Sequence, residues 1–218
     1  MQNKNKVFAI GRGVLFPTGF DLFEGYKPAT EKNYSQIISR EASFVELAGN
    51  DKQICPYIVF INPPVTVPLD TDRRLGQIYT FNRGVGKDLR ISFFLEGVVS
   101  PEDTKIDNFG KRNILKECAL REAKKQILPQ DGKVLVGSGP IGFVNFEDSG
   151  YSNKFGLVYV ALVQSKDIKV NTRKTRVVPI NGINLKAISE LEMLCRTASV
   201  DKISKALLDP LKEYDNFC

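Results

Sequence analysis

Apolar residues recur along this chain in two rhythms, and the first is strand-like. Residues 54–62 read ICPYIVFIN, an almost continuous apolar run of β-branched and aromatic residues closed by Pro63-Pro64, and they predict a central strand buried on both faces. Residues 155–164 (FGLVYVALVQ) predict another strand, long and apolar enough for a sheet centre. Residues 77–83 (QIYTFNR) set Ile78, Thr80 and Asn82 against Tyr79, Phe81 and Arg83, the period of two expected of a strand with one polar face. Shorter strands are expected at residues 7–10, 90–95, 133–136 and 141–146, and residues 176–180 are expected to close the sheet.

The second rhythm is helical. Leu115, Ala119, Ala123 and Ile127 recur every four residues, which puts them along one side of a helix that follows a polar loop and ends at Pro129-Gln130-Asp131-Gly132. Residues 184–197 and 200–214 predict two amphipathic C-terminal helices, punctuated near Ala198-Ser199, and residues 31–40 a short helix. Residues 11–28 mix Gly and Pro with aromatics, as an irregular segment pinned onto a core would. Many strands with one internal and two terminal helices imply an α/β fold, a mixed sheet sandwiched by helices. With 218 residues, 42% of them hydrophobic, the chain is expected to form one domain. Residues 1–50 would be an extension packed on its core and residues 183–218 its C-terminal helices.

Composition narrows the chemistry. The chain has no histidine, which removes every mechanism that depends on a neutral-pH imidazole base. The four cysteines are scattered, with no CxxC pair, so reduced and mostly buried thiols are expected rather than disulfides or a zinc site. No apolar run reaches the ~20 residues that span a bilayer, and the opening MQNKNKVFAIGRG lacks the apolar core of a signal peptide, so a cytoplasmic protein without a membrane partner is expected. A net charge of +6 favours anionic partners. The clearest basic segment, residues 166–176, has no interleaved aromatic to stack on bases, which argues against nucleic acid. Arg83-Gly84-Val85-Gly86-Lys87 lacks the GxxxxGK[ST] frame of a phosphate loop and is expected to be a tight turn.

Residues 97–128 join a glycine-marked strand end, a polar loop and a helix that carries Arg121-Glu122-Ala123-Lys124-Lys125-Gln126. This arrangement resembles the signature of the Nudix hydrolases, whose helix ends in Arg-Glu-apolar-x-Glu-Glu. Lys52-Gln53-Ile54-Cys55-Pro56-Tyr57, Glu96-Gly97-Val98 through Asp103, and Lys154-Phe155-Gly156-Leu157-Val158-Tyr159 resemble, in order, segments of one predicted phosphoesterase-like Nudix subfamily with an N-terminal extension. The resemblance covers roughly residues 7–200 and implies a Nudix-like α/β/α sandwich.

It also implies a site. In active members, helix glutamates hold Mg²⁺ or Mn²⁺, which bridges a diphosphate and activates water. Here Lys125 and Gln126 stand where two of those glutamates are expected, Asn113 stands at a third family position, and the spacing from Gly97 to Arg121 is longer than the standard box. At helical spacing Glu122 shares a side with positions 125 and 126, so a divalent ion there would meet an ammonium. The repulsion is on the order of several kcal/mol. The expectation is therefore a degenerate Nudix box with no cofactor. Arg83, Lys87, Arg121 and Lys125 would be charge partners for a nucleotide or nucleoside-diphosphate derivative, and a protein partner is the other candidate. The alternative is a divergent hydrolase of a nucleoside diphosphate linked to another moiety, in which Mg or Mn would sit on Glu117 and Glu122, with Glu122 as the catalytic residue. Glu102, Asp103, Glu147 and Asp148 would then supply further carboxylates.

Overall fold

A computed structural model of the chain describes residues 6–16, 23–29, 42–62, 77–83, 89–104, 114–129, 134–148, 152–163, 168–170 and 180–215. The expected helix at 31–40, the turn carrying Lys87, the stop at 130–132 and most of the expected strand at 176–180 lie outside the described residues.

The first elements in chain order are β1 (Lys6–Gly11), a helical turn α1 (Arg12–Leu15), β2 (Gly25–Pro28), β3 (Ser43–Glu46), β4 (Asp51–Asn62), β5 (Gln77–Arg83), β6 (Arg90–Ser92) and β7 (Leu95–Glu96). A 3-10 turn (Pro101–Thr104) and helix α2 (Ile114–Gln126) follow. The chain continues through β8 (Ile127–Pro129), β9 (Val134–Val136), β10 (Gly142–Asn145), β11 (Lys154–Val163), β12 (Ile168–Val170) and β13 (Ile180–Lys186) to helices α3 (Ile188–Thr197) and α4 (Lys202–Asp215). Eleven of these strands belong to one sheet, and β8 pairs with β12 in a second. This is the mixed α/β architecture expected, with a large, mostly antiparallel sheet and two C-terminal helices.

The chain gathers into two compact units, with β4, β11 and α2 running from one into the other. The first comprises Met1–Tyr57, Glu96–Ala119 and Ser138–Tyr159. In it β1 pairs antiparallel with β3 and with the start of β4, while β10 pairs antiparallel with β2 and with the start of β11. Two tyrosines lie against glycines of neighbouring strands: a Cβ on Gly142 would meet the Tyr26 ring at 2.2 Å, and one on Gly156 the Tyr57 ring at 2.1 Å. Glycine is required at both places because the ring occupies the volume that any side chain would fill. Phe16, Phe23, Phe143 and Phe155 form an aromatic cluster, with Phe143 and Phe155 centroids 5.6 Å apart.

The second unit comprises Ile58–Leu95, Leu120–Gly137 and Val160–Cys218. Here β5 pairs antiparallel with the end of β4, with β6 and with β13, and β9 pairs with the end of β11. Strand β4 is buried on both faces over most of its length, as its composition predicts. Strand β5 differs from expectation, because Thr80 is as buried as its apolar neighbours and satisfies its hydroxyl by donating to the Asn184 carbonyl at 3.2 Å. The single strand expected at 90–95 is two strands, β6 and β7. At the break, the Phe93 N–H donates to Ser204 Oγ at 2.8 Å, and the Phe94 carbonyl accepts from Ser92 Oγ at 2.9 Å. Residues 184–186 belong to β13 rather than to the first C-terminal helix, which starts at Ile188. Asp201 caps α4: Oδ1 accepts from the Ser204 N–H at 2.9 Å and Oδ2 from its hydroxyl at 2.6 Å.

Candidate functional site

Helix α2 forms because its apolar side is small and continuous. Leu115, Cys118, Ala119 and Ala123 are buried along it, together with Ile127 just beyond its end. That packing fixes the rotation of the helix, and the last turn then holds the charged residues in a set geometry. Glu122 is only 6% exposed, whereas Arg121 is 27% and Lys125 34% exposed. The carboxylate is engaged at both oxygens. Oε1 accepts from the Arg121 guanidinium and from Lys125 Nζ, the latter at 3.2 Å, and Oε2 accepts from Gln126 Nε2 at 2.7 Å. Spacings of three and four residues bring Lys125 and Gln126 to the side of Glu122 by the helix pitch alone, while Arg121, one residue away, reaches Oε1 with its long side chain.

This donor set does not fit a divalent cation. Two positive groups and an amide surround a single carboxylate, whereas Mg²⁺ or Mn²⁺ takes several anionic or neutral oxygens. Glu117 is five residues earlier, about 140° round the helix from Glu122, so the two do not converge. Two of the loop carboxylates named as substitutes, Asp103 and Glu147, have other work. Asp103 is buried and accepts from the Ser100 N–H at 2.8 Å, and Glu147 is held by Arg12 and Lys52. Among the described residues, no three His, Cys, Asp or Glu side chains are grouped to hold a metal.

Arg83, at the end of β5, donates to the Phe94 carbonyl at 2.5 Å and lies over the Phe94 ring, 5.1 Å from its centroid. Lys87 lies outside the described residues. The structure thus brings together Arg121, Glu122 and Lys125.

Two ionic constellations in the first unit have no signal in the sequence. Lys52, on β4, is 1% exposed, and its ammonium donates to Glu147 Oε1 at 2.9 Å and to the Ser152 carbonyl at 2.5 Å. Asn145 Nδ2 adds a bond to Glu147 Oε1 at 3.0 Å, and Arg12 reaches the other carboxylate oxygen. Burial would raise the Glu147 carboxyl, but the bonds from Lys52, Asn145 and Arg12 outweigh it and hold the group below its ordinary 4.5. Burial pushes Lys52 below its ordinary 10.5 against the pull of Glu147. In the second constellation Lys154 Nζ contacts both oxygens of Glu96, at 2.8 and 2.9 Å. Cys55 and Cys118 are buried thiols outside any disulfide, and Cys195 is a partly exposed one. The Cys55 thiol is pushed well up, chiefly by burial, so it is a poor nucleophile.

The chain has the Nudix fold. Among solved structures it is similar to Tm1382, a candidate Nudix hydrolase, with a TM-score of 0.69 and 14% identity over 96% of this chain and 99% of that one. A Nudix-family hydrolase from Clostridium perfringens aligns at a TM-score of 0.43 with 12% identity over 72% of this chain and 97% of that one. A Nudix hydrolase from Nitrosomonas europaea aligns at a TM-score of 0.37 with 12% identity over 81% and 80%. No family model matches the sequence, and no curated protein does.

Proposed function

We infer that this chain is a Nudix-fold binding module that takes an anionic nucleotide or nucleoside-diphosphate derivative without standard metal-dependent hydrolysis. The carrying observation is the state of Glu122: the glutamate kept from the box has both oxygens occupied by Arg121, Lys125 and Gln126. A carboxylate so satisfied offers little to a metal, while Arg121 and Lys125 stay partly exposed and contribute positive charge in excess of Glu122. The chain's net charge of +6 favours the same class of ligand.

A thermal-shift screen of nucleotides, dinucleotides and sugar nucleotides tests this, run with Mg²⁺ and Mn²⁺ and again with EDTA, with product analysis of each hit. The expected result is stabilisation that persists in EDTA, leaves the ligand intact and weakens in Lys125→Glu. Ligands that stabilise only with metal and are consumed would overturn the reading in favour of a divergent hydrolase. No stabilisation in either buffer would overturn it in favour of a protein partner.

A further inference from the structure

We propose that Lys125 is the resident cation of helix α2. Its ammonium, beside the Arg121 guanidinium on the same Oε1, stands against Glu122 where a divalent ion would sit if positions 125 and 126 were carboxylates. The geometry is specific. Glu122 is almost withdrawn from water, so its charge needs compensation inside the protein, and the compensating groups come from its own helix turn. Lys125 Nζ lies 3.2 Å from Oε1, and Gln126 covers Oε2 from 2.7 Å. A side chain at each of these positions is therefore already aimed at the carboxylate. Replacing both by glutamate would keep the directions and reverse the chemistry: three carboxylates would face one another across a single turn, a repulsive set that a hard divalent cation relieves.

A lysine that merely projects into solvent makes a different prediction, because its removal changes nothing and its replacement by glutamate creates no ion site. An ammonium that serves as the counter-cation is missed when it is lost and is replaceable by another cation. The inference deepens the metal-independent binding described above and shares its account of Glu122. Its test uses Mn²⁺ alone, with no nucleotide, so the two can fail separately.

The experiment is a Mn²⁺ titration of the full chain followed by calorimetry and thermal shift, comparing the native protein with Lys125→Glu/Gln126→Glu. The native protein is expected to show neither heat nor shift. The double variant is expected to bind Mn²⁺ and to recover with it the melting temperature it loses without it. Mn²⁺ binding by the native protein that disappears in Glu122→Gln would overturn the proposal, as would a folded double variant that ignores Mn²⁺. Should the double variant not fold, Lys125→Gln and Lys125→Arg decide. The glutamine is expected to lower the melting temperature by about 2 °C and the arginine to restore it. No change in Lys125→Gln would overturn the proposal.

Discussion

Removing the Glu147 carboxylate should cost far more than removing the lysine it pairs with. In Glu147→Ala, the Lys52 ammonium, 1% exposed, keeps among the described residues only the Ser152 carbonyl at 2.5 Å. Breaking a buried pair from one side typically costs about 3–5 kcal/mol, because the remaining charge is stranded. Two features bound the figure here. The Glu147 side chain is 26% exposed, so water can reach part of the vacated space and pull the cost toward ~2 kcal/mol. Lys52 can also shed its proton, and doing so at neutral pH from an ordinary value of 10.5 costs about 5 kcal/mol, which is the ceiling. The expected loss is about 3 kcal/mol.

Lys52→Met preserves the apolar stem and leaves Glu147 with Arg12 and Asn145, so about 1–2 kcal/mol is expected. Urea denaturation followed by circular dichroism measures both. The pH dependence has a definite sign. With the folded Lys52 value below 10.5, the unfolded chain binds more protons between the two values, so the stability of Glu147→Ala should rise as alkaline pH is approached. Glu147 is itself held below 4.5, so its contribution is present at neutrality and is lost as pH falls through its folded value. The native protein should lose that contribution on acidification and Glu147→Ala should not. A loss under ~1 kcal/mol in Glu147→Ala, or one no larger than that of Lys52→Met, would refute the reasoning.

Gly156→Ala places a methyl 2.1 Å from the Tyr57 ring, and a loss of at least ~2–3 kcal/mol is expected; Tyr57→Leu in the same chain should return part of it, as measured by chemical denaturation. Ser204→Ala strands the buried Phe93 N–H and removes a bond to Asp201, for an expected ~2 kcal/mol, whereas Ser204→Thr should keep most of the stability. Of the three described cysteines, Cys195 is expected to react first with a thiol reagent in the native protein, while Cys55 and Cys118 react only on unfolding, which labelling and mass spectrometry would show.

Local features of this protein were legible where a single element determines them. The apolar run at 54–62, rich in β-branched and aromatic residues and closed by two prolines, reads as a strand buried on both faces, and the four-residue spacing from Leu115 to Ile127 fixed which side of α2 is covered. The same helical spacing places Lys125 and Gln126 beside Glu122. Features set by tertiary pairing were not legible. Thr80 looks like a position on a polar strand face until β13 supplies its acceptor, and Asn184 looks helical until it pairs across from Thr80. Nothing local distinguishes Phe93, where the expected strand breaks, from its neighbours; the cause is Ser204, on a helix far along the chain. Lys52 and Glu147 lie 95 residues apart, and only the folded sheet discloses that one neutralises the other.

The end of α2 has one more consequence. Carbonyls at the last turn of a helix present partial negative charge, so carboxylates gathered there oppose the helix dipole by some ~0.3–1 kcal/mol each, while lysines complement it. Lys124 and Lys125 sit in that turn. A helix ending in several glutamates leans on its bound ion for part of its own stability and loosens when the ion departs. With lysines there instead, α2 is self-sufficient: its last turn should be as firm in a chelating buffer as in a metal-rich one.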